Sequence, residues 1–400
     1  MVSFFNNNLK NTYILLGDIV KKICIFLFLM FFSVGVVKAE ETVNLAENAT
    51  SAIIIEASTG EVIWKKNENE KRPPASMTKM MSMLLIMEAL EKGTITMEEE
   101  VTASLRASSM GGSQIFLKSG EKMSVNDLLK GIAIGSGNDA TVAMAERIAG
   151  TEEAFVKMMN DKAREIGAKN TNFKNSTGLD AENHYSTAYD MSLIAKELVK
   201  HEKILEFTST YEDYLRKDSS SPFWLVNTNK LVRFYQGVDG LKTGFTKEAG
   251  YCLTSTAVKN NMRLITVVMN EPTPQMRNGE TTTMLDYGFN MYSIDLILEK
   301  DSVIKEAKIE LGKEEKVQIV PTEDVKILNN NNKEKRNVTY KLKLDNITSP
   351  VKKGDIVGKI EIVENDKVIN VISATVKDDV EKAGVFTVYY RNLKKLFAGF

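Results

Sequence analysis

Pro73-Pro74-Ala75-Ser76-Met77-Thr78-Lys79-Met80-Met81-Ser82-Met83-Leu84-Leu85-Ile86-Met87 is the stretch on which the fold turns. The two prolines disfavour helix upstream of themselves. Met80, Met81, Met83, Leu84, Leu85, Met87 and Leu90 then recur with helical amphipathicity. Ser76 therefore opens a helix, and Lys79, three residues on, shares its face within reach of the hydroxyl. A serine in a first helical turn also feels the positive end of the helix dipole, which favours developing negative charge. Ser-x-x-Lys occurs four times, at Ser76, Ser119, Ser302 and Ser349. Ser349 precedes Pro350, Ser119 precedes Gly120 in a polar loop, and Ser302 lies in a charged stretch. Only Ser76 heads an apolar helix.

Two further strings follow in order. Ser136-Gly137-Asn138 comes after Val125, Leu128, Leu129, Ile132 and Ile134, which predict a buried helix ending near Gly135. Lys242-Thr243-Gly244 lies between Gly237-Val-Asp-Gly-Leu241 and Tyr251-Cys-Leu-Thr-Ser-Thr-Ala257. That pattern predicts two neighbouring strands with a turn around Glu248-Ala249-Gly250. Gly244 leaves room where a peptide would lie along the strand. Lys242 brings positive charge that should depress the pKa of Lys79 and keep it usable as a base. Thr243 can hold a terminal carboxylate by hydrogen bond. The three strings supply a nucleophile, a base and a carboxylate-binding wall, a set for acyl transfer that needs no histidine.

In type, order and setting these strings resemble those of the serine penicillin-recognising enzymes, and in detail the D-alanyl-D-alanine carboxypeptidases among the penicillin-binding proteins. The resemblance implies an α/β (α+β) fold: a penicillin-binding/β-lactamase-like catalytic domain with an antiparallel sheet flanked by helices, followed by a small all-β domain. It implies Ser76, Lys79 and Ser136 as catalytic residues, with Ser136 relaying protons. It implies Asn138, Lys242, Thr243, Gly244, Phe245 and Arg277 as substrate-binding residues. Asn138 would bond the substrate backbone, the amides of Ser76 and Phe245 would form the oxyanion hole, and Arg277, in Pro272-Thr-Pro-Gln-Met-Arg277, would help hold the terminal carboxylate. The expected activity is removal of the terminal D-alanine from peptidoglycan pentapeptides through an acyl-enzyme, with β-lactams as covalent inhibitors. A β-lactamase of the same fold is the closest competing activity. Its class A members carry a loop glutamate in a Glu-x-x-x-Asn setting, and Asn175-Ser-Thr-Gly-Leu179 offers no such pair. The same strings would also serve an endopeptidase or transpeptidase on this scaffold, and a non-catalytic wall-binding protein could retain them.

Composition narrows the classes further. The 400 residues suffice for two domains, and the net charge of −1 comes with interspersed acids and bases. No basic tract suits nucleic acid. The cysteines are Cys24 and Cys252, of which only Cys252 would remain after removal of a leader. His184 and His201 are the only histidines, too few and too isolated for a catalytic zinc site. No metal or cofactor is expected. His184 is expected to be structural, and Asp190 to help cap a helix from Met191.

Along the chain, Lys21-Lys22 precedes an apolar run from Ile23 to Val37, and Val37-Lys-Ala39 has small residues at cleavage-determining positions. This predicts a signal peptide over 1–39 and an exported protein at the outer face of the cell membrane. The catalytic domain is expected over 43–297. Alternation at Val338-Thr-Tyr-Lys-Leu-Lys-Leu344, Lys359–Val363 and Val368–Ile372 predicts an all-β domain over 300–382. Over 384–400, Val385, Phe386, Tyr389, Tyr390, Leu393, Leu396, Phe397 and Phe400 fill one helical arc opposite Arg391, Lys394 and Lys395. That pattern predicts a helix lying on a membrane surface.

Overall fold

The computed structural model describes Lys21 and residues 43–397, with side chains up to 391 and at 393. The expected signal segment, apart from Lys21, and Phe400 lie outside the described residues.

Strands β1 (Ser51–Glu56) and β2 (Val62–Lys66) form the hairpin that Ser58-Thr59-Gly60 turns. Strands β3 (Val238–Thr246), β4 (Gly250–Lys259) and β5 (Met262–Glu271) come from nearly two hundred residues later. The five make one sheet in the order β2–β1–β5–β4–β3, antiparallel throughout. Pairing of β1 with β5, from Ser51↔Met269 to Glu56↔Leu264, closes the sheet around everything between. Strand β3, which carries Lys242-Thr243-Gly244, is left at an edge.

Side chains alternate across a strand, so each sheet face needs its own cover. Ile53, Ile55, Ile265 and Val267 pack with helices α1 (Lys79–Glu91) and α5 (Ala188–Leu198), and with α2 (Val125–Ala133), α3 (Asn138–Ala149) and α4 (Glu152–Glu165) around them. Ile54, Leu253, Leu264 and Val268 face the other way, onto Met284 and Leu285 of α6 (Pro274–Met291). Helix α1 is not the one-sided helix its spacing predicts: every residue from Lys79 to Met87 is buried. A helix apolar on all sides belongs at the centre of a domain, and here it holds Lys79 out of water.

One helix start differs in detail from expectation. Thr187 caps α5, its hydroxyl accepting the Asp190 amide at 3.0 Å. Asp190 lies inside the helix, and its carboxylate takes the Asn170 amide and the Thr171 hydroxyl, both at 2.7 Å. Helix α6 begins at Pro274, capped by Thr273, so Arg277 stands in its first turn.

Beyond α6, β6 (Tyr292–Leu298) pairs with β9 (Val325–Asn330). The seven residues of β6 thus belong by hydrogen bonding to the β-rich part that the alternation pattern begins at 300. A second sheet follows in the order β7 (Lys305–Lys308), β8 (Lys316–Pro321), β12 (Lys367–Val376), β11 (Ile356–Glu364), β10 (Val338–Leu344). Ile319, Ile360, Ile362, Ala374 and Val376 form its core. Arg336 joins the two halves: Nη1 donates to both Glu61 oxygens at 2.7 and 2.8 Å, while Nε and Nη2 donate to Glu364 at 2.8 and 3.0 Å. Such bidentate charge-assisted pairs fix geometry as well as distance.

Helix α7 (Val385–Phe397) ends the described chain. Arg391 donates to the Gly312 carbonyl at 2.6 Å and pairs with Glu315 at 3.2 Å. Val385, Phe386, Tyr389 and Tyr390 point into solvent, 65–89% exposed. No helix among the described residues is long and apolar enough to cross a membrane.

Candidate active site

Ser76 lies in a single 3-10 turn, Ala75–Thr78, on the head of α1. Ala75 adopts a left-handed φ of 47°, which breaks the chain direction just before the serine. The turn is wedged tightly. A Cβ on Gly178 would stand 1.8 Å from the Ala75 carbonyl oxygen, and Gly178 itself has φ +86°, so only glycine fits there.

Lys79 Nζ donates to Ser76 Oγ at 3.0 Å and to the Thr177 carbonyl at 2.7 Å. Its side chain is fully buried. Burial pushes its pKa well below the usual lysine value; the Lys242 charge adds to this and Asp139 opposes it. The expected contribution of Lys242 is therefore present but second to desolvation. The Thr177 contact is a part of the site that motif reading misses. The Asn175-Ser-Thr-Gly178 turn signal marks it: Asn175 Oδ1 accepts the amides of Thr177 and Gly178 at 3.2 and 2.7 Å, and buried Glu152 takes the Ser176 amide and hydroxyl at 3.1 and 2.8 Å.

Ser136, with a left-handed φ of 62°, and Asn138 are both buried. Ser136 Oγ and Asn138 Oδ1 have no hydrogen-bond partner among the described residues. Asn138 Nδ2 is tied to the Gly111 carbonyl at 2.7 Å, leaving the oxygen free to accept. Asp139 accepts the amides of Ile115 and Leu117 at 3.0 Å and of Ala140 at 2.9 Å, fixing the facing loop. Asp139 also acts on the charge of Lys79, favouring its protonated form.

The edge strand forms the opposite wall. An Ala at 244 would place Cβ 2.8 Å from Pro74 O, 3.0 Å from Ala75 Cβ and 3.2 Å from Ser76 N. Gly244 therefore makes room for the serine turn itself, a different reason from the one the sequence offers. Lys242 is fully buried, its Nζ 3.1 Å from the Thr243 carbonyl, and burial with the Arg277 charge brings its pKa down to about 7. Thr243 Oγ1 donates to Thr228 Oγ1 at 2.7 Å, a partner that no local pattern reveals. Phe245 is half exposed and stacks on Tyr251 with ring centroids 4.3 Å apart. Arg277 is buried, and among the described residues its Nε and Nη2 donate to Asn278 Oδ1 alone, at 3.1 and 2.9 Å.

His184 lies under the serine turn. The Lys174 amide donates to Nδ1 at 3.2 Å, so Nε2 carries the hydrogen toward Thr78 Oγ1 at 2.9 Å. Burial pushes its pKa down to about 4, keeping it neutral.

A buried lysine bonded to a serine at the head of a central helix, faced by an edge strand, is the arrangement of a serine-type acyl-transfer enzyme. The family described as D-alanyl-D-alanine carboxypeptidase matches residues 37–273, and the one described as Penicillin-binding protein 5, C-terminal domain matches residues 292–382. The chain is 50% identical over 355 residues to D-alanyl-D-alanine carboxypeptidase DacF of Bacillus subtilis, covering 88% of this chain and 91% of that one. The crystal structure of penicillin-binding protein 5 from Haemophilus influenzae matches with TM-score 0.67 at 32% identity, covering 84% of this chain and 98% of that one. Penicillin-binding protein D2 of Listeria monocytogenes in its ampicillin-bound form matches with TM-score 0.56 at 30% identity, covering 62% and 100%. The chain belongs to the D-alanyl-D-alanine carboxypeptidase family.

Proposed function

We propose that Ser76 is the nucleophile of this carboxypeptidase and Lys79 its base, acting on peptidoglycan stem peptides that end in two D-alanines. The observation that carries the reading is the 3.0 Å contact between Lys79 Nζ and Ser76 Oγ in a site that holds the lysine fully buried. Desolvation favours the neutral amine, which can take the serine proton as Oγ attacks the penultimate carbonyl. The carbonyl oxygen gathers charge against the amides of Ser76 and Phe245. Edge strand β3 offers backbone groups along which an extended peptide adds as a further strand, with Asn138 Oδ1 accepting from the opposite side. The terminal carboxylate lies toward Thr243, Lys242 and Arg277. Ser136, with its unpartnered hydroxyl, passes the proton to the departing D-alanine amine. Water then attacks the acyl-enzyme and Lys79 takes its proton. A β-lactam acylates the same serine.

The test is to incubate the purified protein with a labelled penicillin and with a D-Ala-D-Ala peptide. Ser76→Ala should abolish both labelling and D-alanine release. Labelling of that variant at another serine overturns the assignment.

The action on peptidoglycan places the protein outside the cytoplasm, and we propose α7 as its contact with the membrane. The exposure of Val385, Phe386, Tyr389 and Tyr390, with Arg391 turned to the β-domain, supports this. Deleting residues 385–400 should abolish binding to anionic vesicles and leave cleavage of a soluble peptide unchanged. Retained vesicle binding refutes the role of the helix.

A further inference from the structure

A cavity of about 570 Å³ opens beside the serine turn, between Lys71 and Arg72, the loop from Asp180 to Tyr185, and Glu248 in the β3–β4 turn. Pro73, three residues before Ser76, forms part of its wall. A narrower cleft lined by Pro74, Ala75 and Gly178 shares Asp180, His184 and Glu248 with it, and so joins it to the serine turn. The walls are preformed. Arg72 and Ser186 exchange backbone hydrogen bonds at 2.8 and 2.9 Å. Asn172 and Tyr185 do the same at 2.9 and 3.1 Å, and the Asn172 side chain donates to the Asn183 carbonyl at 2.6 Å. His184 ties this loop to Thr78 at 2.9 Å, so cavity and serine turn keep one geometry.

Charges of both signs line the cavity without neutralising one another. Lys71 Nζ stands 4.5 Å from the Tyr185 ring centroid, a contact that orients an ammonium and leaves its charge in place. Arg72 Nη1 donates to Glu70 at 2.6 Å, while its buried Nε has no acceptor among the described residues. Asp180, Glu182 and Glu248 are exposed, and none makes an ion pair among the described residues. Unpaired cationic and anionic walls suit a ligand that carries both a carboxylate and an ammonium.

The path of the substrate brings such a group here. In the proposed reaction the terminal carboxylate lies toward Lys242 and Thr243, and the reacting carbonyl lies at the Phe245 amide. The acyl side of the peptide therefore continues past Thr246, where β3 ends, toward Glu248. Three residues of extended chain span at most about 10 Å, within reach of a long side chain on the residue that precedes the two D-alanines. We infer that this cavity is the subsite for that residue, and that it selects a side chain ending in both an ammonium and a carboxylate, as a diamino diacid does. The carboxylate lies toward Lys71 and Arg72 Nε, and the ammonium toward Asp180, Glu182 and Glu248. Acylating that amine, as cross-linking to a second strand does, removes its charge and weakens the fit. The inference rests on the reading of Ser76 as nucleophile and of β3 as the strand the peptide joins.

The experiment measures D-alanine release from three peptides, N-acetyl-X-D-Ala-D-Ala, in which X is diaminopimelate, lysine or Nε-acetyl-lysine. Their side chains end in both charges, in the ammonium alone and in neither. In wild type kcat/KM should fall in that order, by about ten-fold overall, since exposed charge pairs contribute about two- to five-fold each. High salt should narrow the difference. Lys71→Met should bring the ratio of diaminopimelate to lysine peptide to unity while the ratio of lysine to acetyl-lysine peptide stands. Asp180→Asn combined with Glu248→Gln should bring the second ratio toward unity. Wild type that cleaves all three peptides alike overturns the inference. Variants that leave both ratios standing also overturn it, even if every rate falls, since the charges would then hold the serine turn rather than the peptide. Penicillin labelling separates this from the underlying reading: label on Ser76 with the three peptides cleaved alike removes only the subsite, whereas Ser76→Ala that still labels removes the nucleophile assignment.

Discussion

Gly244→Ala is the sharpest test of how the serine turn is held. The added methyl would stand 2.8 Å from Pro74 O, 3.0 Å from Ala75 Cβ and 3.2 Å from Ser76 N. Comfortable contacts for carbon lie at about 3.5–4.0 Å, so relief requires roughly 0.5–1 Å of movement. No flexible side chain can provide it, because two of the three atoms are backbone and the third is a Cβ. Strand β3 is held by β4, with Gly244 opposite Cys252, and the far side of the turn is blocked where Gly178 meets the Ala75 carbonyl. The displacement therefore falls on the Ser76 amide and hydroxyl. Losing one oxyanion-hole donor costs about 10²–10³-fold in rate, and a misplacement of about 1 Å costs about 10²-fold. We expect the acylation rate constant for a labelled penicillin to fall by about 10²-fold, measured as pseudo-first-order labelling against time. Gly244 has no left-handed φ, so alanine meets no torsional obstacle and the fold should survive. Acylation within about two-fold of wild type, with the label still on Ser76, would refute this reasoning, because a displaced oxyanion donor must slow the step.

Three other outcomes follow from the same geometry. Lys79→Ala should slow penicillin acylation by about 10²–10⁴-fold, the range for a lost general base; labelling at the wild-type rate would remove Lys79 from that role. Arg277→Ala should impair cleavage of the free-acid peptide and leave the amide little changed, read as kcat/KM on both. His184, neutral with its pKa lowered from 6.5 to about 4, binds a proton more readily in the unfolded chain, so folding stability should decline as pH falls from 6.5 through about 4. At about 1.4 kcal/mol per pH unit that decline reaches about 3 kcal/mol. Denaturant unfolding of wild type and His184→Gln at several pH values should show the wild type losing more; identical slopes would exclude the histidine as the source.

What the chain discloses in sequence is what depends on near neighbours. Ser76 and Lys79 are legible because three residues along a helix are one contact apart. The β3–β4 hairpin is legible because glycines punctuate alternating strands. What stays hidden depends on distant pairing. Nothing near Lys79 announces the Thr177 carbonyl, 98 residues away, and nothing near Thr243 announces Thr228. The reason for Gly244 could be guessed only as an open surface, since its neighbour across the gap is set by the docking of β3 on the serine turn. The cap at Thr187 is masked by Asp190, an equally good capping residue whose carboxylate is drawn off to Asn170 and Thr171. Burial of α1 on every side likewise follows from five helices meeting over one sheet face, not from its own periodicity.

The Arg336 clamp grips the sheet through Glu61, at the β2 edge, while Ser76 is served from the β3 edge. Four strand spacings separate these edges, about 19 Å. The share of a pull on the β-domain that passes through this clamp enters the catalytic half at the margin remote from Ser76 and crosses four ladders of hydrogen bonds before it reaches the strand beside that serine. If α7 holds the protein to a surface, as proposed, the clamp gives the load a path that is taken up in the sheet away from the serine turn.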